Sequence, residues 1–159
     1  MKPNSSNDDF LIHNSYTFWI SRLANLMQEH FNQRLKEEDV TWPQWMVLNV
    51  LDQKLATTPA AIASNIGVDR SAVTRLLDRL ENKGLISREH DKLDRRSINI
   101  DITERGQDLM ATLNHMAREH QEHFLSQLHN TEYRSLKGNI QKMLRLGGID
   151  TSSQWKQLL

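Results

Sequence analysis

The sequence predicts a mainly α-helical fold carrying one small β-hairpin, and three observations lead there. Apolar side chains recur at helical spacing along most of the chain. One stretch breaks that rule, with Ile98, Ile100 and Ile102 alternating against Asn99 and Asp101 in the two-residue period of a half-buried strand. Gly67 and Gly84 each close a helical pattern in the middle of the chain and so divide it into short, stackable elements.

Taken in order, positions 1–9 are polar, with Pro3, Asn4, Ser5, Ser6 and Asn7, and read as a flexible N-terminal tail. From Ile12 the apolar residues Tyr16, Trp19, Leu23, Leu26, Met27, Phe31 and Leu35 keep one helical face, so segment 10–40 is expected to hold one long helix. Thr41 caps a shorter helix through Trp45, Leu48 and Leu51, with Pro43 accommodated in its first turn. Thr58 is an N-cap followed by Pro59, Ala60 and Ala61, and Ile62 and Ile66 anchor that helix. Asp69 starts the next helix, predicted over 69–83, in which Val73, Leu76, Leu77 and Leu80 share one face. Its other face carries Ser71, Thr74, Arg75, Asp78 and Asn82. A hairpin over 85–102 follows, and Thr103 then caps a very long helix with the seam Leu109, Leu113, Met116, His120, Phe124 and Leu128. A last amphipathic helix runs through Tyr133, Leu136, Ile140, Met143 and Leu144, completing segment 103–159.

Helix, turn, helix and hairpin form the order of a winged helix-turn-helix, here over 41–102. The second helix presents hydrogen-bonding side chains of little bulk, which suits the major groove of B-DNA, where arginine pairs with guanine edges. The hairpin tip carries Lys92, Arg95 and Arg96, where such folds reach the minor groove. The competing readings are an ordinary solvated helix face and a solvated loop. Finding both features at the expected spacing favours DNA.

Several runs carry a resemblance to a known family. They are the upstream Val40-Thr41-Trp42-Pro43-Gln44-Trp45-Met46-Val47-Leu48, the helical Val68-Asp69-Arg70-Ser71-Ala72-Val73-Thr74-Arg75-Leu76-Leu77 and the adjoining Leu80-Glu81-Asn82-Lys83-Gly84-Leu85-Ile86. The last two are Asp94-Arg95-Arg96-Ser97 and Ile102-Thr103-Glu104-Arg105-Gly106. Together they make the chain similar to the MarR family of bacterial transcription regulators, over roughly residues 12–146. The resemblance implies a homodimer that binds palindromic operator DNA, usually as a repressor released by a small ligand. It places base reading on Arg70, Ser71, Thr74 and Arg75. Arg96 corresponds to the wing arginine, with Arg95 beside it and Asp94 orienting its guanidinium, while Lys92 and Arg88 would contact the DNA backbone. Matching pocket positions are Asn25, His30, Trp45 and Asn49, and Trp45 with Trp42 could stack an aromatic or anionic effector. For Trp45 taken alone, core packing is the preferred reading.

The terminal segments supply long helices whose apolar seams exceed what the small winged unit can cover. Pairing with a second copy would bury that excess, so 10–40 and 103–159 are expected to form the dimerisation region. A self-contained helical subdomain is the alternative.

Composition bounds the remaining choices. The 159 residues, 38% hydrophobic and 25% charged, suit one globular domain with a sizeable core. With no secretory signal and no apolar run of spanning length, the cytoplasm is the expected location and the membrane is not an expected partner. Zero cysteines exclude disulfides and any thiol-based oxidant switch. Twenty basic residues balance twenty acidic ones, yet between Arg70 and Arg96 eight basic side chains face five acidic ones, a modest local excess. His115, Glu119 and His123, four residues apart on one helix, could hold zinc and make DNA binding metal-dependent, but a solvated face with Glu–His pairs is the preferred reading. Metal is therefore not expected as a cofactor. No nucleophile elbow, phosphate loop or His-Glu-x-x-His motif is present, which argues against an enzyme. A winged helix that binds protein is the remaining alternative.

Overall fold

Six helices and one antiparallel hairpin make up the described residues, 11–90 and 98–149, of a computed structural model. They are α1 (Tyr16–Leu35), α2 (Trp42–Asp52), α3 (Pro59–Ile66), α4 (Arg70–Asn82), β1 (Ile86–His90), β2 (Ile98–Ile102), α5 (Glu104–Leu125) and α6 (Asn130–Leu146). The expected tail at 1–9 lies outside the described residues.

Local chemistry sets most boundaries. Ser15 is extended and its hydroxyl accepts from Phe18 N at 3.2 Å, so α1 begins at Tyr16 after a separate 3₁₀ turn, Ile12–Asn14. The helix expected from Ile12 is thus interrupted, because the extended backbone at Ser15 breaks the run of intrahelical bonds, and its hydroxyl then caps the new end. Thr41 N donates to Gln44 Oε1 at 3.1 Å, the return bond of a capping box, at the start of α2. Thr58 Oγ1 accepts from Ala61 N at 3.3 Å, with Pro59 in the first turn of α3. Gly67 ends α3 at φ +69°, a conformation glycine adopts at little cost.

The hairpin pairs Ile86 with Ile102, Arg88 with Ile100 and His90 with Ile98. Ile100 N also donates to Thr57 O at 2.7 Å, which ties β2 to the turn before α3. At the far end Thr103 Oγ1 accepts from Gly106 N at 3.1 Å and donates to Gly84 O at 2.7 Å, so one hydroxyl caps α5 and fastens the end of α4. Gly106 packs so closely that an added Cβ would overlap the Leu85 carbonyl and the Ile102 side chain.

The chain divides into two compact units, residues 1–118 and 119–159, with the division inside α5. In the first, Phe31, Leu35, Val47, Leu48, Ile62, Val73, Leu77, Leu80, Ile100, Met110 and Leu113 are fully or almost fully buried. Each such side chain contributes roughly 1.5–3 kcal/mol of transfer free energy, so this cluster fixes α4 against α2, α3 and the hairpin. Met110 joins the core one residue from the expected Leu109. In the second unit, His129 N donates to Glu132 Oε2 at 2.8 Å at the start of α6, and this bond and its side-chain companion hold the Glu132 carboxyl below its usual pKa. His120 is buried, with its ring 5.0 Å from that of Phe124. Leu128, expected on the α5 seam, lies past the helix end at Leu125 and is exposed.

The α1 seam divides in two. Phe31 and Leu35 are buried, whereas Tyr16, Trp19, Leu23 and Leu26 are all more than half exposed, along with Leu11, Ile12 and Ile20. Helical periodicity reported the apolar face correctly, but only its last turns reach the core of this chain.

Candidate nucleic-acid interface

The α3–α4 pair and the hairpin place the candidate DNA-reading residues on one exposed surface of α4. Val73, Leu77 and Leu80 lock its inner face into the core, which leaves Arg70, Ser71, Thr74 and Arg75 exposed on its first turns. All four base-reading positions expected from the sequence therefore stand together on α4. Thr74 Oγ1 donates to Arg70 O at 3.1 Å, so its proton is committed to the helix and it offers outward a methyl group and an acceptor oxygen.

Arg88, expected as a backbone contact, is engaged within the protein. Its Nη2 lies 2.6 Å from Asp78 Oδ1 and its Nη1 3.5 Å from Glu81 Oε2, both on α4. Sequence reading placed Asp78 on the polar stripe without finding this pairing; the signal available was two acids at i and i+3 followed by an arginine on the adjoining strand. Lys83 similarly ties the end of α4 to the loop before α2, with Nζ 3.0 Å from Asp39 Oδ2 and also bonded to the Asp39 carbonyl. The wing-tip candidates Lys92, Asp94, Arg95 and Arg96 lie outside the described residues.

The four candidate pocket residues split. Trp45 and Asn49 are half-buried one turn apart on α2, where Asn49 Nδ2 donates to Trp45 O at 3.3 Å, while Asn25 and His30 are exposed on α1. Trp45 belongs to an aromatic cluster, with its ring 5.0 Å from both Phe31 and Trp42, and its buried Nε1–H has no hydrogen-bond acceptor among the described residues. A cleft of about 350 Å³ lies elsewhere, lined by Glu38, Asp39, Lys83, Leu85 and Arg105 among others, and includes none of the four. Nothing in the sequence pattern pointed to it, since its walls come from three separate parts of the chain.

His115, Glu119 and His123 do not assemble a metal site. Among the described residues no group of three His, Cys, Asp or Glu side chains could hold an ion. All three residues are exposed.

A helix-turn-helix with an exposed polar recognition helix and an adjoining hairpin defines a winged-helix DNA-binding protein. The MarR family model matches residues 40–98, from the start of α2 region to the first residue of β2. The S. aureus MepR–DNA complex superposes with a TM-score of 0.76 at 30% identity, covering 82% of this chain and 97% of that one. BldR from Sulfolobus solfataricus gives 0.74 at 26% identity, covering 81% and 91%. Bordetella bronchiseptica BpsR shares the fold, with a TM-score of 0.79 at 20% identity, covering 86% and 97%. The chain belongs to the MarR family. It is accordingly a DNA-binding transcription regulator and not an enzyme. No helix among the described residues is long and apolar enough to cross a membrane.

Proposed function

We propose that this protein is a cytoplasmic, ligand-responsive repressor that binds a pseudopalindromic operator as a homodimer. The carrying observation is the conjunction of an exposed reading face on α4 with an apolar face on α1 that the described residues leave exposed. Pairing through the terminal helices, 10–40 and 103–159, would bury that apolar face and set two recognition helices in successive major grooves, about 34–36 Å apart. MepR, solved as a DNA complex at 30% identity, supports duplex DNA as the partner.

In this reading Arg70, Ser71, Thr74 and Arg75 read base edges. Arg96 enters the minor groove beside Arg95, oriented by Asp94, and Lys92 meets a phosphate. The effector is a small aromatic or anionic molecule bound near Trp45, with Asn25, His30 and Asn49 as candidate contacts. The Phe31–Trp42–Trp45 cluster offers ring faces for stacking, and the unsatisfied Trp45 Nε1–H offers a donor to an effector oxygen. On the same fold, DNA binding by BpsR is regulated by 6-hydroxynicotinic acid.

Selection of bound duplexes from a random library at physiological salt tests the reading. A two-fold symmetric motif with half-sites one helical turn apart is expected. Arg75→Ala should relax base choice within the half-site, and Arg96→Ala should weaken A·T-flanked sites more than others. An enriched motif without symmetry would refute the dimeric reader, and wild-type preferences in both variants would refute these residue roles.

A further inference from the structure

We infer that Arg88 is a positioning residue, which fixes the wing strand to the recognition helix and offsets half of the charge of the two acids there, instead of contacting DNA itself. The inference rests on the DNA-binding reading and concerns how that site keeps its shape.

Strand alternation supplies the first argument. Successive side chains of β1 point to opposite faces, so Arg88 shares a face with Ile86. Its cross-strand partner on that face is Ile100. Ile86 is 2% exposed and Ile100 fully buried, so this is the face turned toward the core and toward α4. A phosphate ligand on β1 would be expected on the opposite face, with Ser87 and Glu89.

Geometry supplies the second. The planar guanidinium spans two carboxylates on successive turns of α4, at 2.6 Å and 3.5 Å, with the arginine side chain about a quarter exposed. A forked donor can bridge two such acceptors, and a lysine ammonium cannot do so in the same fixed geometry. This is a cross-element brace, joining the helix that enters the major groove to the strand that leads into the wing.

Charge supplies the third. Asp78 lies on the polar stripe with Ser71, Thr74 and Arg75, where a bare carboxylate would repel phosphates. Pairing with Arg88 lowers the combined charge of Asp78 and Glu81 from two to one without placing a further cation on the reading face. The modest basic excess of the winged unit is then concentrated in the groups left to meet DNA.

The two roles predict different mutant patterns. If Arg88 positions, Asp78→Asn with Glu81→Gln should lower the ratio of operator to non-specific affinity about tenfold, and Arg88→Lys should do the same although it keeps the charge. Adding Arg88→Ala to the double variant should then change the ratio less than about twofold, because the brace is already gone. If Arg88 instead binds a phosphate, Asp78→Asn with Glu81→Gln leaves the ratio intact, and Arg88→Lys is close to wild type. In that case Arg88→Ala lowers the salt slope by about one in either background. That second pattern overturns the inference. The measurement is fluorescence anisotropy on a selected operator and a scrambled duplex between 50 and 200 mM salt, a range over which phosphate contacts register strongly, about as in other DNA-binding proteins. A wild type that does not distinguish the two duplexes would overturn the DNA reading itself, and would be evident before any variant was compared.

Discussion

At the scale of single residues, Thr74 shows how a side chain's chemistry narrows once its partners are known. Its hydroxyl proton goes to the Arg70 carbonyl, so what it presents outward is a methyl group and a lone-pair oxygen. If the methyl makes the contact, Thr74→Val should bind operator within about twofold of wild type. Thr74→Ser and Thr74→Ala, which both lack it, should each lose about 0.8 kcal/mol, the transfer free energy of one buried methyl-sized group. Anisotropy titrations check this, and a serine variant equal to wild type would assign the contact to the hydroxyl. The position of Thr74 on the polar face was legible from spacing alone. The destination of its proton was not, because a hydroxyl rotor follows the local geometry and helical spacing says nothing about it.

At the scale of elements, the junction where α4, β1 and α5 meet depends on one glycine. Gly106 sits against the Leu85 carbonyl and Ile102, with no room for a Cβ, and its amide completes the Thr103 cap. Gly106→Ala should therefore destabilise the fold by about 1–3 kcal/mol, as overpacking of a tight site does, and urea unfolding should show the loss as a lower midpoint at nearly unchanged slope. An unchanged midpoint would mean that the junction is looser than its contacts indicate. The run Thr103-Glu104-Arg105-Gly106 stood out in the sequence by resemblance, and Thr103 was legible as a cap. The requirement for glycine three residues later arises from a carbonyl twenty-one positions earlier in the chain, which local patterning does not report. The same limit applies to the start of α1, where Ser15 cuts a periodic pattern that continues on both sides of it.

At the scale of the whole molecule, the uncovered apolar face of α1 makes the strongest demand. Tyr16 is 86% exposed, and Trp19, Leu23 and Leu26 are each above half, which is a patch of the kind that marks an association surface. Leu23→Glu, combined with Trp19→Glu, should convert a homodimer into a monomer at low micromolar concentration in analytical ultracentrifugation. Operator affinity should fall with it, because two linked readers gain from effective concentration and separate ones do not. A wild-type monomer would refute dimerisation directly. By itself the sequence determined the order of helices and hairpin, the caps at Thr41, Thr58 and Thr103, the recognition-helix stripe and the family, because hydrophobic period, capping chemistry and motif runs are local properties of the chain. Only the tertiary structure decided that Arg88 turns inward to Asp78 and Glu81, that Trp45 leaves a buried donor unsatisfied and that α1 is buried only in its last turns. Each of these depends on which distant segment lies opposite, and that is set by packing.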